Sequence, residues 1–306
     1  MKTLLKKIWE ILLPSFLQIF IYEKFYVKIT NSISRERRKR AKRIVNFFQD
    51  ENNQKNYPEE YTNAANWIKK NGYNAMPYDF IKEYQKKKIK VFEDAGFKYI
   101  IHENKRLYFP KNRPLVKCLK LYKGLSHEQD KRSPHRYNYS WFQERKGWTL
   151  LDIGAAEGIF ALSVIDYVDK VYLFECDDYW IEALNKTFEP YKDKVEIIKA
   201  YVSDENTEST VTLDFFMKNV EYVNCYIKMD IEGYEVKVLD GAKDFLKNCN
   251  NIFISTCVYH RDEHEKEINS TLTDKGFSCT LTNGLIALGS NPPYFRKGVL
   301  YASKTN

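Results

Sequence analysis

Two stretches of this sequence place acidic side chains where an α/β protein binds its ligands. In the first, LLDIGAAEG, Asp152 lies just before a short loop that begins at Gly154, and Glu157 lies inside that loop. In the second, YIKMDIEG, Asp230 and Glu232 are two residues apart and project to the same side of an extended chain. Carboxylates placed in this way can bind a cation, accept a proton or ligate a metal ion.

The loop of the first stretch predicts a positively charged nucleoside as ligand. It is built from four small residues, Gly154, Ala155, Ala156 and Gly158. The loop resembles the G-x-G-x-x-G of dinucleotide sites but lacks the middle glycine. Asp152 and Glu157 would repel the pyrophosphate of NAD, whereas they would attract the ammonium and sulfonium groups of S-adenosylmethionine. We therefore expect S-adenosylmethionine as the cofactor, with an NAD(P)-dependent oxidoreductase of the same fold as the alternative.

Further polar residues follow the next predicted strands. Glu175, at the end of the second strand, could accept hydrogen bonds from both ribose hydroxyls of either ligand. Cys176 could pack on the adenine, and Ser203 with Asp204 could meet the adenine amino group. Upstream, the polar and aromatic segment HEQDKRSPHRYNYSWF is interpreted as a lid or an ordinary linker. Its Arg136 is the candidate partner of the methionine carboxylate.

The elements that must position these residues alternate between strands and helices from about residue 148. The predicted strands are Trp148–Asp152, Val171–Glu175, Val195–Ala200, Tyr226–Asp230, Ile252–Val258, Phe277–Leu281 and Val299–Ala302. The predicted helices are 158–168, 178–188, 236–247 and 263–275. Such alternation predicts a mostly parallel α/β sheet covered on both faces, with ligands beyond the carboxyl ends of its strands.

The positive charge of the chain is concentrated at its N-terminus. Residues 1–43 carry a net charge of +9, and the rest of the chain carries −1, which argues against a nucleic-acid partner for the whole protein. Residues 4–43, apolar and then basic, predict either peripheral contact with an anionic membrane surface or a solvated helix. Charges and Pro14 interrupt the apolar run, and no small-residue cleavage site follows it, so neither a spanning helix nor a secretory signal is expected.

Three parts are predicted along the chain. They are an apolar and basic segment (1–45), a mainly helical accessory lobe with the lid-like linker (46–145) and the nucleoside-binding domain (146–306). In the lobe, KYIIHENKRLYFP predicts a strand pair that turns at Glu103 to Lys105. Six scattered cysteines without a C-x-x-C pair predict neither disulfides nor a zinc site. This favours a reducing, cytoplasmic location, with the N-terminal segment at the inner face of a membrane if it binds one.

Five stretches together resemble the FkbM-type methyltransferases over roughly residues 148–303. They are LDIGAAEG, VYLFEC, VSDEN, TLD and IKMDIEGYEVKVLDGA. The family's D-x-E-G-x-E stands here at Asp230, Glu232, Gly233 and Glu235. This resemblance implies a Rossmann-like class I methyltransferase sheet of seven strands, with S-adenosylmethionine as the methyl donor. It also implies O-methylation of a sugar, glycan or small metabolite.

Methyl transfer to an alcohol needs a proton acceptor within hydrogen-bond reach. The candidates are Asp230, Glu232 and His260, which ends the predicted strand NIFISTCVYH. We predict His260 as the base, oriented by one of the two acids. The same trio could instead hold Mg²⁺, Mn²⁺ or Fe²⁺, although the first interpretation needs no metal. Glu235 is interpreted as a helix-dipole residue, and a non-catalytic module that binds a membrane or a partner stays as a further alternative.

Overall fold

The computed structural model describes residues 31–138, 140–143, 147–249 and 251–305. The elements of its N-terminal part are α1 (Asn31–Phe47), α2 (Glu51–Asn56), α3 (Glu59–Asn71), α4 (Ile81–Lys86), β1 (Val91–Asp94), β2 (Phe97–His102), β3 (Lys105–Phe109), α5 (Leu115–Glu128) and α6 (Ser140–Gln143). The predicted hairpin is found as β2 and β3, with Glu103 and Asn104 at positive φ in the two-residue turn. Strand β1, which sequence reasoning did not predict, extends the hairpin to three antiparallel strands.

The apolar face of the N-terminal lobe packs on the far end of the chain. Ile44 and Phe48 from the region of α1, with Ile68 of α3, form one cluster with Leu285 and Phe295. The basic side chains near the start of α1 are exposed. The rest of the predicted membrane-binding segment, residues 4–30, lies outside the described residues. Of the helices that are described, none has the length and apolar character needed to cross a bilayer.

The second part alternates strands with helices, as the sequence predicts. Its elements are β4 (Trp148–Ile153), α7 (Ile159–Val164), β5 (Lys170–Phe174), α8 (Asp178–Phe188), a 3₁₀ turn (Glu189–Tyr191), β6 (Val195–Ile198), β7 (Tyr201–Val202), β8 (Thr210–Val211), α9 (Leu213–Met217), β9 (Asn224–Met229), α10 (Glu235–Asp240), α11 (Lys243–Asn248), β10 (Asn251–Cys257), α12 (His264–Asp274), β11 (Ser278–Leu281) and β12 (Val299–Thr305).

Seven of these strands form one sheet in the order β11-β12-β10-β9-β4-β5-β6. The five strands from β10 to β6 run parallel, and β12 is antiparallel to both of its neighbours. The central strands are mostly apolar because helices cover both faces, and one buried cluster lies on each side. The predicted seven-stranded, Rossmann-like α/β fold is confirmed. Its strand order reverses between β4 and β9, where such folds bind ligands.

One predicted helix, 236–247, is divided into α10 and α11. The division follows Gly241, at which an added Cβ would lie 2.0 Å from the carbonyl oxygen of Ser203. Only glycine allows this approach to the segment that follows β7. The helix therefore ends at Asp240, and α11 begins anew at Lys243.

Candidate functional site

A cavity of about 630 Å³ opens at the carboxyl ends of β4, β5 and β9. Its volume is typical of sites for small molecules. The predicted site residues that line it are Gly154, Ala156, Glu175, Cys176, Ser203, Asp230 and Glu232. The structure thus brings the two acidic stretches together at the edge of the sheet where the strand order reverses.

The loop after β4 is held against both neighbouring strands. Gly154 has a φ of 77°, and a Cβ there would lie 2.2 Å from the carbonyl oxygen of Asp230, so this position requires glycine. Ala156, also at positive φ, donates its backbone N–H to Glu175 Oε2 at 2.8 Å. The floor of the cavity is therefore built from close backbone contacts between β4, β5 and β9.

The carboxylate of Glu175 is fixed by the backbone at both oxygens. Besides the bond from Ala156, Oε1 accepts a hydrogen bond from the N–H of Asp177 at 2.8 Å. Each carboxylate oxygen can accept two hydrogen bonds, so each retains one free acceptor position. Glu175 can therefore bind a pair of neighbouring hydroxyl groups without moving.

Asp152 does not line the cavity, in contrast to the prediction that it borders the ligand. It is 1% exposed, and its Oδ1 lies 2.9 Å from Nζ of Lys228, the residue opposite it on β9. Lys228 also donates to the carbonyl oxygen of Gly154 at 2.6 Å. Burial raises the pKa of Asp152, although Lys228 opposes this effect. The charge of Asp152 is thus balanced inside the protein and is not directed at a ligand.

Other predicted cofactor residues also lie outside the lining of this cavity: Ala155, Glu157, Gly158, Asp204 and Arg136. Asp204 accepts a hydrogen bond from Ser203 Oγ at 2.9 Å and lies 3.6 Å from Nζ of Lys237. Arg136 lines a separate cavity of about 580 Å³, to which α5 and α7 contribute side chains. Its proposed contact with a methionine carboxylate is therefore not supported by its position.

Glu157 is buried in the first loop, and its ionisation should make stability depend on pH. Burial raises the pKa of Glu157 to about 7 from an ordinary value of 4.5. The unfolded chain releases this proton at lower pH than the folded protein does, so folding stability falls as pH rises from 4.5 to 7. Glu157→Gln should therefore stabilise the protein by about 3 kcal/mol at pH 8 and by much less at pH 5. Urea unfolding of both proteins at both pH values measures the difference, and equal gains at both would contradict this origin.

In the second stretch, Asp230 reaches the cavity while both of its oxygens are held by hydrogen bonds. Oδ2 accepts a hydrogen bond from Tyr137 Oη at 2.8 Å, and Oδ1 lies 3.2 Å from Nε2 of His260. Burial raises the pKa of Asp230, but the hydrogen bond from His260 and the charges of His135 and Lys228 outweigh it. The pKa is therefore below its ordinary value, and the 26% exposed side chain presents an ionised carboxylate to the cavity.

His260 lies behind Asp230 and has no free ring nitrogen to direct at a substrate. Its Nε2 contacts Asp230, and its Nδ1 lies 2.9 Å from Oε1 of Glu235. Burial lowers the pKa of His260, but the hydrogen bonds to the two carboxylates raise it to about 10. The prediction of His260 as a base oriented by Asp230 or Glu232 therefore needs correction, because the histidine instead orients Asp230. Glu232, at a φ of 58°, is 91% exposed and lies 4.0 Å from His260 Nε2.

The roles of three residues of the site were not predicted from the sequence: Tyr137, Glu235 and His264. Glu235 is fully buried between His260 and His264, with Oε2 at 3.2 Å from His264 Nε2. Burial raises the pKa of Glu235, but the hydrogen bond with His260 and the neighbouring imidazole of His264 lower it to about 2. The D-x-E-G-x-E stretch was the signal from which the role of Glu235 could have been predicted, because Glu235 is its third acid.

Comparison with known proteins agrees with the resemblance stated from the sequence. Residues 176–279 match the model of the methyltransferase FkbM domain, so the predicted resemblance is confirmed over that segment. The family match begins after the first loop and is shorter than the predicted 148–303. No curated protein sequence matches the chain.

Among the solved structures similar to this chain are two methyltransferases of low sequence identity. Methyltransferase FkbM from Methylobacillus flagellatus KT is 17% identical, with a TM-score of 0.43 over 61% of this chain and 54% of that one. The present chain therefore spans about half the length of that protein. Magnesium protoporphyrin IX methyltransferase from Synechocystis PCC 6803, solved with bound SAM, is 12% identical, with a TM-score of 0.40 over 63% and 86% of the two chains.

Proposed function

We propose that this chain is an S-adenosylmethionine-dependent methyltransferase that acts on a hydroxyl group of a sugar, a glycan or another small metabolite. The observation that carries the proposal is the acidic cavity at the reversal of the strand order. Two of the carboxylates that line it, Asp230 and Glu232, belong to the D-x-E-G-x-E stretch inside the matched methyltransferase domain.

The charge of the cavity supports S-adenosylmethionine over a dinucleotide. Its lining contains Glu175, Asp230 and Glu232, and among the described lining residues there is no Lys, Arg or His. A pyrophosphate would meet three carboxylates without a cationic side chain, whereas an ammonium and a sulfonium would be attracted. This favours the methyl donor over NAD(P), although the carboxylates concerned are not the pair expected from the sequence.

The lining residues fit the parts of such a cofactor. Glu175 offers two fixed acceptor positions for the ribose hydroxyls, and Cys176 and Tyr201 offer surfaces for the adenine. When bound, the cofactor supplies an electrophilic methyl group and a neutral thioether as leaving group. The protein's task is then to orient the acceptor and to receive its proton.

Asp230 is placed for that task. Its oxygens each keep one free acceptor position beside the bonds from Tyr137 and His260, so the carboxylate can accept a hydrogen bond from an acceptor hydroxyl. The proton of that hydroxyl passes to Asp230 as the new oxygen–carbon bond forms. Tyr137 and His260 act as positioning residues, because they restrict the rotation of the carboxylate.

Removing the Glu175 carboxylate should weaken cofactor binding. Because a hydrogen bond to a charged group contributes about 1.5–3 kcal/mol, Glu175→Ala should raise the Kd for S-adenosylmethionine by about 10- to 100-fold. Isothermal titration calorimetry measures the change. Glu208→Ala, at an exposed glutamate outside the cavity lining, is the matched control and should leave the Kd unchanged.

The proposed activity is tested with methyl-labelled S-adenosylmethionine and extracts of soluble and lipid-linked glycans. We expect label to enter a glycan or metabolite in a base-stable ether linkage, and titration to show uptake of S-adenosylmethionine but not of NADP. Tight binding of NADP, or no uptake of S-adenosylmethionine, would overturn the proposal. Label in an N-methyl group would keep the reaction class and overturn the hydroxyl acceptor.

A further inference from the structure

A compact group of two imidazoles and one carboxylate lies behind Asp230. Glu235 at the start of α10 is fully buried, as is His264 at the start of α12, and His260 is 6% exposed. Oε1 of Glu235 lies 2.9 Å from Nδ1 of His260, and Oε2 lies 3.2 Å from Nε2 of His264. One possible ligand atom from each residue lies within 4.8 Å of the corresponding atoms of the other two.

Several of these buried atoms have no hydrogen-bond partner. Both ring nitrogens of His264 and Oε2 of Glu235 are inaccessible to solvent and form no hydrogen bond of acceptable geometry. Buried polar atoms in folded proteins are almost always satisfied, so such a cluster needs a partner that the chain does not supply. Nε2 of His264 and Oε2 of Glu235 lie 3.2 Å apart without forming a hydrogen bond, so a partner that contacts both atoms would satisfy them.

In a second group with ligand-type side chains nearby, the atoms that face one another already have hydrogen-bond partners, and of that group only Nδ1 of His135, on the outer side of its ring, has none. His135 Nε2 is 2.8 Å from Tyr259 Oη, and Asp230 Oδ2 accepts a hydrogen bond from Tyr137 Oη. Cys257, the third member of that group, contacts both His135 and Tyr137. The difference between the two groups singles out the one around Glu235.

We propose that Glu235, His260 and His264 bind a divalent first-row transition-metal ion, with Zn²⁺ as the reference ion. Two imidazoles and a carboxylate suit Zn²⁺, Fe²⁺ or Co²⁺ better than the oxygen-preferring Mg²⁺ and Ca²⁺. The three residues offer one ligand atom each, and a water molecule as the fourth ligand would give the four-coordinate geometry that Zn²⁺ prefers.

The remaining contact of His260 supports this assignment. A histidine that ligates a metal through one nitrogen usually donates its other N–H to a carboxylate, which fixes the ring. Here Nδ1 faces Glu235, and Nε2 lies 3.2 Å from Oδ1 of Asp230. The bound ion would therefore hold His260, and through it Asp230, in a fixed orientation, which is a structural role at the edge of the cavity.

The test is the metal content of the full chain, which does not depend on any methyl transfer. Inductively coupled plasma mass spectrometry of protein purified without chelators should find about one divalent ion per chain. After removal of the ion with dipicolinate, calorimetric titration with ZnCl₂ should recover one saturable site. Content far below one ion per chain together with no saturable Zn²⁺ binding would overturn the proposal.

Variants locate the site. Loss of an outer-shell partner already costs about 10- to 100-fold in metal affinity, so His264→Asn, which removes a direct ligand, should weaken Zn²⁺ binding by at least about 100-fold. The control is His127→Asn, because His127 belongs to no such group of three among the described residues. Unchanged affinity in His264→Asn would place the ion elsewhere and overturn the assignment.

Two further measurements apply if circular dichroism shows that His264→Asn is unfolded. Glu235→Gln keeps the shape of the side chain but weakens a ligand, and it should lower the affinity in the same direction. Co²⁺ added to the metal-free wild-type chain should give the visible absorption of a four-coordinate nitrogen and oxygen site. A six-coordinate spectrum, or a Glu235→Gln variant with wild-type affinity, would overturn the proposal.

Discussion

Asp230→Asn is expected to lower kcat for methyl transfer by about 10²- to 10⁴-fold, the usual contribution of a positioned proton acceptor. The amide keeps the size of the side chain and can still accept the hydrogen bond from Tyr137, but it cannot take a proton from the acceptor. The cofactor should still bind, because Glu175 and the loop after β4 are unchanged. Steady-state transfer of labelled methyl groups gives kcat, and calorimetry gives the Kd.

Glu232→Gln is the matched control for this prediction. Glu232 belongs to the same acidic stretch and lines the same cavity, but its side chain is 91% exposed. We expect its kcat to remain much closer to wild type than that of Asp230→Asn. If Asp230→Asn retained full turnover, or if Glu232→Gln lost as much, proton transfer would have to be assigned to another group.

Lys228→Met should destabilise the fold by about 3–5 kcal/mol, the effect of leaving a buried charge without its partner. Asp152 and Lys228 are 1% and 6% exposed, so solvent cannot replace the lost ion pair. Met preserves most of the volume of the side chain, and the loss therefore reflects charge more than packing. Urea unfolding at pH 7 measures the difference.

The double variant Asp152→Asn, Lys228→Met separates charge from other effects. With both ionised groups gone, much of the stability lost in Lys228→Met should return, because the uncompensated carboxylate is absent. A double variant as unstable as the single one would show that the hydrogen bond from Lys228 to the carbonyl oxygen of Gly154 matters more than the ion pair.

The strands of the sheet were readable from sequence because each is an apolar run bounded by polar turns. β4, β9 and β10 are found within two residues of their predicted limits. The division of α10 from α11 was not readable, because it depends on the approach of Ser203 to Gly241 from a distant segment. Local pattern carries no information about such contacts.

The sequence identified several residues of the site, but it did not show what each of them contacts or does. Asp230 and Glu175 were recognised because they end strands at the ligand-binding edge. The partner of Asp152 depends on the register between β4 and β9, which places Lys228 opposite it. The sequence also could not show whether Arg136 or its neighbour Tyr137 contacts the site. The path of the loop decides which of the two adjacent side chains lies next to Asp230, and in the structure it is Tyr137.

The packing of α1 and α3 on residues 285–295 bears on how the molecule can be divided. These residues come from the connection between β11 and β12, so the beginning and the end of the described chain complete a single apolar core. Tyr73 Oη and Arg40 Nη2 add hydrogen bonds to the backbone of Ala287 and Gly289. The change in pattern near residue 146 marks where the sheet begins, and a truncation there would expose Leu285 and Phe295 in the connection between the last two strands.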